Sequence, residues 1–242
     1  MQTSIFTMAV FQVEQIAEGV KHFVLKPQDK IFNYLPGQFF TMQIAGKEKL
    51  YKRSYSIANY PDGKGTIEFA ASYIANGIAS EFLFALKKGD TINITGPFGR
   101  LVYKDTAKRI ILVGTGTGVT PYRAMLPLLK SKLLEHDDLE VVILQGVREH
   151  KDILYAADFR SFVKEAPRAS LRICLSRQTE NLADDEYSGY VQNQFASLNL
   201  NVENTLVYLC GNPNMIDAAF THLTTNGFTV SQIVREKYIS SK

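Results

Sequence analysis

Eight consecutive residues, Gly114-Thr115-Gly116-Thr117-Gly118-Val119-Thr120-Pro121, have the types and spacing to hold an anion. Alternating glycines let backbone N–H groups approach a phosphate, and a helix starting just beyond them adds the positive end of its dipole. The stretch is not the dinucleotide fingerprint GxGxxG, because position 119 is Val, and it is not a P-loop, because no Gly-Lys-Ser/Thr follows. A tight turn with no ligand is compatible with the same letters. The two cysteines, Cys174 and Cys210, lack the spacing of a zinc site, an iron–sulfur site or a disulfide framework. Cys210 closes an apolar run, the place where open α/β sheets present side chains to ligands; Cys174 reads as core. His22, His136, His150 and His222 are scattered, fall in no metal or Ser-His-Asp pattern, and are given no role.

The elements around these residues change character along the chain. Before residue 97 the pattern is that of short strands at 7–16, 20–26, 38–44, 53–58, 66–73 and 91–95, with turn chemistry at Pro36-Gly37, Asn59 to Gly63 and Lys88-Gly89-Asp90. One helix is expected over 79–86, with Ile78, Phe82 and Leu86 on one face. Six strands and one helix predict a small antiparallel β-barrel of Greek-key type. Residues 97–108 read as a connector. Beyond it, strands at 109–113, 139–145, 170–175, 205–209 and 232–237 alternate with helices at 121–134, 152–165, 191–197 and 213–225, which predicts a Rossmann-like parallel sheet of five strands. The expected division is a barrel domain over 1–103 and an α/β domain over 104–242.

Composition narrows the partners. The chain has 242 residues, 45% of them hydrophobic and 21% charged, and a net charge of +3 from 27 basic and 24 acidic residues. That balance argues against nucleic acid. No apolar run approaches the ~20 residues of a membrane-spanning helix. Met1 to Val10 lacks the layout of a signal peptide, so a cytoplasmic location is the expectation.

An ordered set of short motifs then becomes informative: Pro36-Gly37-Gln38-Phe39, Arg53-Ser54-Tyr55-Ser56, Gly77-Ile78-Ala79-Ser80, Gly96-Pro97-Phe98-Gly99, the glycine turn, Cys210-Gly211-Asn212-Pro213 and Glu236-Lys237-Tyr238. In this order and at these spacings the chain resembles the ferredoxin–NADP reductase family from about Phe11 to Tyr238. The resemblance implies an FAD-binding barrel followed by an NADP-binding domain. It places Arg53 on the FAD pyrophosphate, where a planar bidentate cation is apt, with Ser54 beside it. Tyr55 is placed on one face of the flavin ring and Tyr238 on the other, and Ser56 beside flavin N5. Gly77, Ile78, Ala79 and Ser80 would meet the FAD phosphates at a helix start. Cys210 would touch the nicotinamide near its reactive carbon, and Glu236 would serve proton delivery and nicotinamide placement. Ser56, Cys210, Glu236 and Tyr238 are thus the implied catalytic set. In plant-type members the tyrosine ends the chain, whereas here Ile239 to Lys242 follow.

The same resemblance gives Gly114 to Pro121, Cys210, Gly211, Asn212, Pro213 and Met215 to the pyridine nucleotide. An NAD-preferring domain usually ends its second strand on an acid, but here that strand runs Gln145-Gly146-Val147-Arg148. Ser176, Arg177 and Tyr190 fall where NADP-using relatives bind the 2′-phosphate, although a family lysine is replaced by Ser188, and Arg148 and Gln192 are given to the nucleotide without a more particular role. NADP(H) is therefore favoured over NAD(H). The implied activity is hydride transfer from NADPH to FAD, with single electrons passed to a carrier protein such as ferredoxin or flavodoxin. The alternatives are an NADH-dependent reductase component of an oxygenase, and a non-catalytic flavin-binding subunit.

Overall fold

Alternation of apolar and polar residues builds the first half of the chain. The computed structural model describes residues 4–46, 49–166 and 168–239. Strands β1 (Ile5–Ala17), β2 (Val20–Pro27), β3 (Phe39–Ala45), β4 (Leu50–Ser56), β5 (Ile67–Ser72) and β6 (Thr91–Phe98) form one antiparallel sheet in the order β4-β3-β6-β1-β2-β5. Every second residue of β3, Phe40, Met42 and Ile44, points inward and is buried, as a two-residue repeat requires. They meet Met8, Phe23, Leu25, Phe69 and Ile94 in one core, where Phe23 and Phe69 stack with centroids 4.8 Å apart. Just beyond β4 the sheet curls towards β5: Ala58 N–H donates to the Glu68 carbonyl at 2.7 Å, and Glu68 N–H donates to Asn59 Oδ1 at 2.7 Å. The barrel's one α-helix, α1 (Ile78–Ala85), follows β5.

Continuous apolar runs build the second half. Strands β7 (Arg109–Thr115), β8 (Glu140–Val147), β9 (Ala169–Leu175), β10 (Glu186–Ser188), β11 (Thr205–Gly211) and β12 (Ile233–Lys237) form a parallel sheet in the order β10-β9-β8-β7-β11-β12. Helices α2 (Thr120–Glu135), α3 (Ala156–Glu165) and α4 (Pro213–Thr225) connect them. Ile110 to Val113 are buried without alternation, because a parallel sheet is covered on both faces. The chain steps outward from β7 to β10, then returns to start β11 on the other side of β7. The strand order therefore reverses between β7 and β11, which opens a crevice at their carboxyl ends.

Three expectations are corrected. The parallel sheet has six strands rather than five. The extra one, β10, is only three residues long, Glu186-Tyr187-Ser188, and lies at the edge, so it carries no apolar run to announce it. Residues 191–197 are two short 3₁₀ turns, Val191–Gln194 and Ala196–Leu198, rather than a helix; Val191, Phe195 and Leu198 have helical spacing, but Asn199 turns left-handed at φ +48° and ends the run. The connector assigned from residue 97 begins later, since β6 continues to Phe98 and pairs it with Phe39.

The chain clusters into two compact units. Of the described residues, one comprises those from 4 to 102 together with Thr120–Met125, and the other Tyr103–Val119 together with those from 126 to 239. Among the described residues no helix is long and apolar enough to cross a membrane. The first residues of the Met1 to Val10 stretch, 1–3, and the last of the tail, 240–242, lie outside the described residues.

Candidate cofactor and nucleotide site

The glycine turn leads β7 into α2 through a 3₁₀ turn over Gly116–Val119. Its glycines do different things. A Cβ on Gly118 would lie 2.4 Å from the Cys210 carbonyl oxygen and 2.7 Å from Gly211 Cα. Gly211, at φ +115°, likewise faces the Thr115 carbonyl oxygen, 2.6 Å from where its Cβ would stand. Asn212 N–H completes the contact by donating to Thr115 Oγ1 at 3.0 Å. These two glycines bring the end of β7 against the end of β11, chain on chain. Gly116 differs: it has φ +53° and nothing within 4 Å of its Cβ position. At the start of α2 the Thr120 hydroxyl, on a residue only 1% exposed, has no hydrogen-bond partner among the described residues. Open space at a glycine just ahead of a helix start suits a phosphate. At the facing helix start the first-turn amides are already used: Asn212 Oδ1 accepts from Asn214 and Met215 N–H, at 2.8 and 3.4 Å, just past Pro213.

Parallel pairing of β11 with β12 sets Cys210 beside Glu236, and Tyr238 N–H donates to the Gly211 carbonyl at 2.8 Å. The fold thus joins Cys210 to two other members of the implied catalytic set, Glu236 and Tyr238, that lie far from it in sequence. Complete burial pushes the Cys210 thiol well up and the Glu236 carboxylate adds to this, while a hydrogen bond from Tyr238 opposes it. Cys210 is consequently a neutral thiol. Cys174 is also a buried thiol, raised by burial to about 12, and is core as expected.

At the carboxyl ends of β8 and β9 the backbone ladder continues past the strands. Ser176 N–H donates to the Val147 carbonyl and Arg177 N–H to the Arg148 carbonyl, both at 3.0 Å. Arg148, Ser176 and Arg177 are thereby neighbours. Gly189 N–H donates to the Leu175 carbonyl at 2.9 Å, which brings in Tyr190, 62% exposed. Four other arginines of this unit, Arg109, Arg160, Arg168 and Arg172, hydrogen-bond through their guanidinium groups. Arg148 and Arg177 are exposed and make no side-chain ion pair among the described residues. Gln192 Oε1 is buried with no partner among them.

In the barrel, register pairs Ser56 with Phe39, Ser54 with Thr41 and Arg53 with Met42. Ser54 and Thr41 hydroxyls lie 3.0 Å apart, and Arg53 Nη1 donates to the Lys52 carbonyl at 2.9 Å. Ser56 is buried. The Tyr55 ring lies 5.2 Å from Phe69 and 6.0 Å from Phe40, and burial pushes its hydroxyl up to about 12 against the opposing Arg53 charge. The N-terminus of α1 has Gly77 as its cap and no side-chain capping bond, so the amides of Ile78, Ala79 and Ser80 are the donors a phosphate would use. The Ser80 oxygen is already engaged within the fold, since it is buried and accepts from Ile74 N–H at 2.8 Å.

Sequence reasoning passed over Gln145. It is fully buried, its Nε2 donates to the Leu154 carbonyl at 3.1 Å, and its Oε1 has no partner among the described residues. The signal was available, since a lone amide interrupts the apolar run of β8 at its ligand-facing end. Among the described residues no cluster of His, Cys, Asp and Glu can hold a metal.

Comparison with known families gives the class, an oxidoreductase with an FAD-binding and an NAD-binding domain on successive parts of the chain. A family model for an oxidoreductase FAD-binding domain matches residues 7–103, and one for an oxidoreductase NAD-binding domain matches residues 112–220. The chain belongs to the ferredoxin–NADP reductase family of FAD/NAD(P)-binding oxidoreductases. It is similar to the toluate 1,2-dioxygenase electron transfer component of Pseudomonas putida, with 26% identity over 98% of this chain and 68% of that protein. It is also similar to the F subunit of the Na(+)-translocating NADH-quinone reductase of Psychrobacter cryohalolentis, with 28% identity over 77% of this chain. The match spans only 48% of that protein's length. A ferredoxin NADP+ reductase from Neisseria gonorrhoeae, solved with FAD and NADP, superimposes with a TM-score of 0.83 over 98% of this chain and 99% of its own, at 18% identity. That last likeness speaks for the fold.

Proposed function

We propose that the protein oxidises NADPH and passes the electrons singly to a carrier protein, ferredoxin, flavodoxin or an oxygenase component. In this reading FAD is held by residues 1–103 and the nucleotide by residues 104–242. When bound, FAD supplies the conversion of a two-electron hydride donor into one-electron steps. The chain's own residues do the rest. Arg53 and the α1 amides bind the FAD phosphates, Tyr55 stacks on the ring, and Ser56 offers a hydroxyl to its reactive edge. Gly116 and Thr120 receive the nucleotide pyrophosphate. Cys210 gives the nicotinamide a small neutral wall, Glu236 holds a proton-exchanging carboxylate beside it, and Tyr238 guards the position.

The observation that supports the NADPH reading is that two exposed arginines, Arg148 and Arg177, are joined through their backbones beside Ser176, with neither side chain in an ion pair among the described residues. Two such cations suit a dianionic 2′-phosphate and have no purpose on a ribose hydroxyl. A second reading, an NADH-using reductase component, is favoured by the names of the relatives, which include an NADH-quinone reductase subunit and a dioxygenase electron transfer component. Stopped-flow mixing of the FAD-loaded protein with each nucleotide separates the two. Faster flavin bleaching at lower NADPH than NADH concentration supports the first reading, and the reverse order supports the second. Absence of bleaching with both would make the protein a non-catalytic flavin-binding component.

A further inference from the structure

Three segments meet on one side chain that the sequence left without a role. His150 lies two residues past Arg148, in the turn after β8. Its Nε2 is hydrogen-bonded to the Glu186 carboxylate at the start of β10, and its Nδ1 lies 2.7 Å from Gln178 Nε2, in the loop after β9. The Gln178 amide is oriented by its other contacts. Its Nε2 donates to the Glu180 carbonyl at 3.1 Å and its Oε1 accepts from His150 N–H at 3.4 Å. A carbonyl only accepts, so the amide nitrogen faces the imidazole Nδ1, and Nε2 faces Glu186. Glu186 is itself held: its side chain is 4% exposed, and it accepts from Ala183 N–H at 3.0 Å and from Arg160 at 3.3 Å. Arg160 in turn grips Asp185 with two bonds of 2.7 and 2.9 Å.

Each joined segment carries part of the set assigned above to the 2′-phosphate. Arg148 precedes His150 by two residues, Arg177 adjoins Gln178, and Tyr190 follows Glu186 by four. We propose that His150 is the positioning residue of the nucleotide-specificity site, holding the Arg148, Arg177 and Tyr190 segments in the one arrangement that receives a 2′-phosphorylated adenosine. The inference rests on the NADPH reading. The network's own polar groups are engaged with one another, so it contributes placement and offers no direct bond to the ligand. Long exposed arginines lose rotamer and loop entropy on binding, and an anchored backbone reduces that loss. The joint is geometric, because one imidazole ring bridges the Gln178 amide and the Glu186 carboxylate of two other segments.

The test is calorimetric titration of the FAD-loaded protein with adenosine 2′,5′-bisphosphate and with 5′-AMP, which differ by the 2′-phosphate alone. His150→Ala is expected to weaken the bisphosphate roughly tenfold, as the loss of one or two hydrogen bonds would, and to leave 5′-AMP within about twofold. Gln178→Ala, which keeps the Glu186 contact and its buried charge partner, should shift the bisphosphate in the same direction. The double variant should lose no more than His150→Ala, and His150→Asn, whose Oδ1 can accept from Gln178, should recover part of the loss. Equal weakening of both ligands, or of neither, in a folded His150→Ala or Gln178→Ala protein overturns the inference. Arg177→Ala in the same titration tells the two levels apart. If it alone loses the preference for the bisphosphate, the 2′-phosphate reading stands and His150 is only structural; if it keeps the preference, the reading fails and the inference with it.

Discussion

Cys210 and Glu68 are the residues at which burial and charge make the sharpest demands. Both cysteines are buried, and burial raises each thiol. A thiol-specific disulfide reagent at pH 8 should therefore leave the native protein unlabelled over minutes and label both sulfurs in guanidinium; a rapidly reacting native thiol would contradict the placement. Glu68 in the barrel is held below the usual carboxylate range, first by His22, 3.4 Å away, and then by Arg123, 2.6 Å away, with burial opposing. A depressed native value means that its stabilisation is complete above the ordinary glutamate range and disappears as pH falls through that native value. From about pH 5 downward the urea midpoint should fall more steeply in the wild type than in Glu68→Gln. Parallel curves would remove Glu68 from the account of acid sensitivity. At Arg177 the expected result is kinetic: Arg177→Ala raises KM for NADPH by roughly tenfold or more and KM for NADH by less than about twofold. Equal effects on both would count against a 2′-phosphate role.

At the scale of the element, the strand–turn–helix from β7 to α2 combines two duties that its letters do not separate. Gly118 exists for packing and Gly116 for conformation and space. Gly118→Ala forces a methyl group onto the backbone of Cys210 and Gly211 and should cost about 3 kcal/mol in urea unfolding. Gly116→Ala incurs only the left-handed strain, about 1 kcal/mol, but projects its methyl where the pyrophosphate is assigned. It should weaken nucleotide binding more than it weakens the fold. The reverse ranking, from melts and titrations of the two variants, would undo the assignment. The two elements that sequence patterning mistook fail for one reason. β10 and the 3₁₀ turns after it are set by tertiary anchors, Arg160 on Asp185 and the left-handed Asn199, rather than by apolar periodicity.

For the molecule as a whole, two compact units with separate cores imply unfolding that ligands can divide. Calorimetry should resolve or broaden into two transitions, with FAD raising the one belonging to the barrel and adenosine 2′,5′-bisphosphate the other. The gain is about 2.7 kcal/mol at a ligand concentration one hundred times Kd. A single transition raised equally by either ligand would mean that the units unfold as one.

The primary sequence determined the class of each half. Strict alternation in Phe40, Met42 and Ile44 can only serve a one-sided sheet, and the continuous run Ile110 to Val113 can only lie between two covered faces. The motifs Arg53 to Ser56 and Gly114 to Pro121 stand in sequence order beside such elements, and their assigned roles rest on the family resemblance and await the tests above. Tertiary structure alone decided which of the glycines touches chain and which faces open space, because that depends on how close β11 comes to β7. It alone placed Cys210, Glu236 and Tyr238 together, through the parallel register of β11 and β12. It also gave His150 its place, since a hydrogen-bonding node among three loops has no period, no spacing and no motif by which a linear chain could announce it.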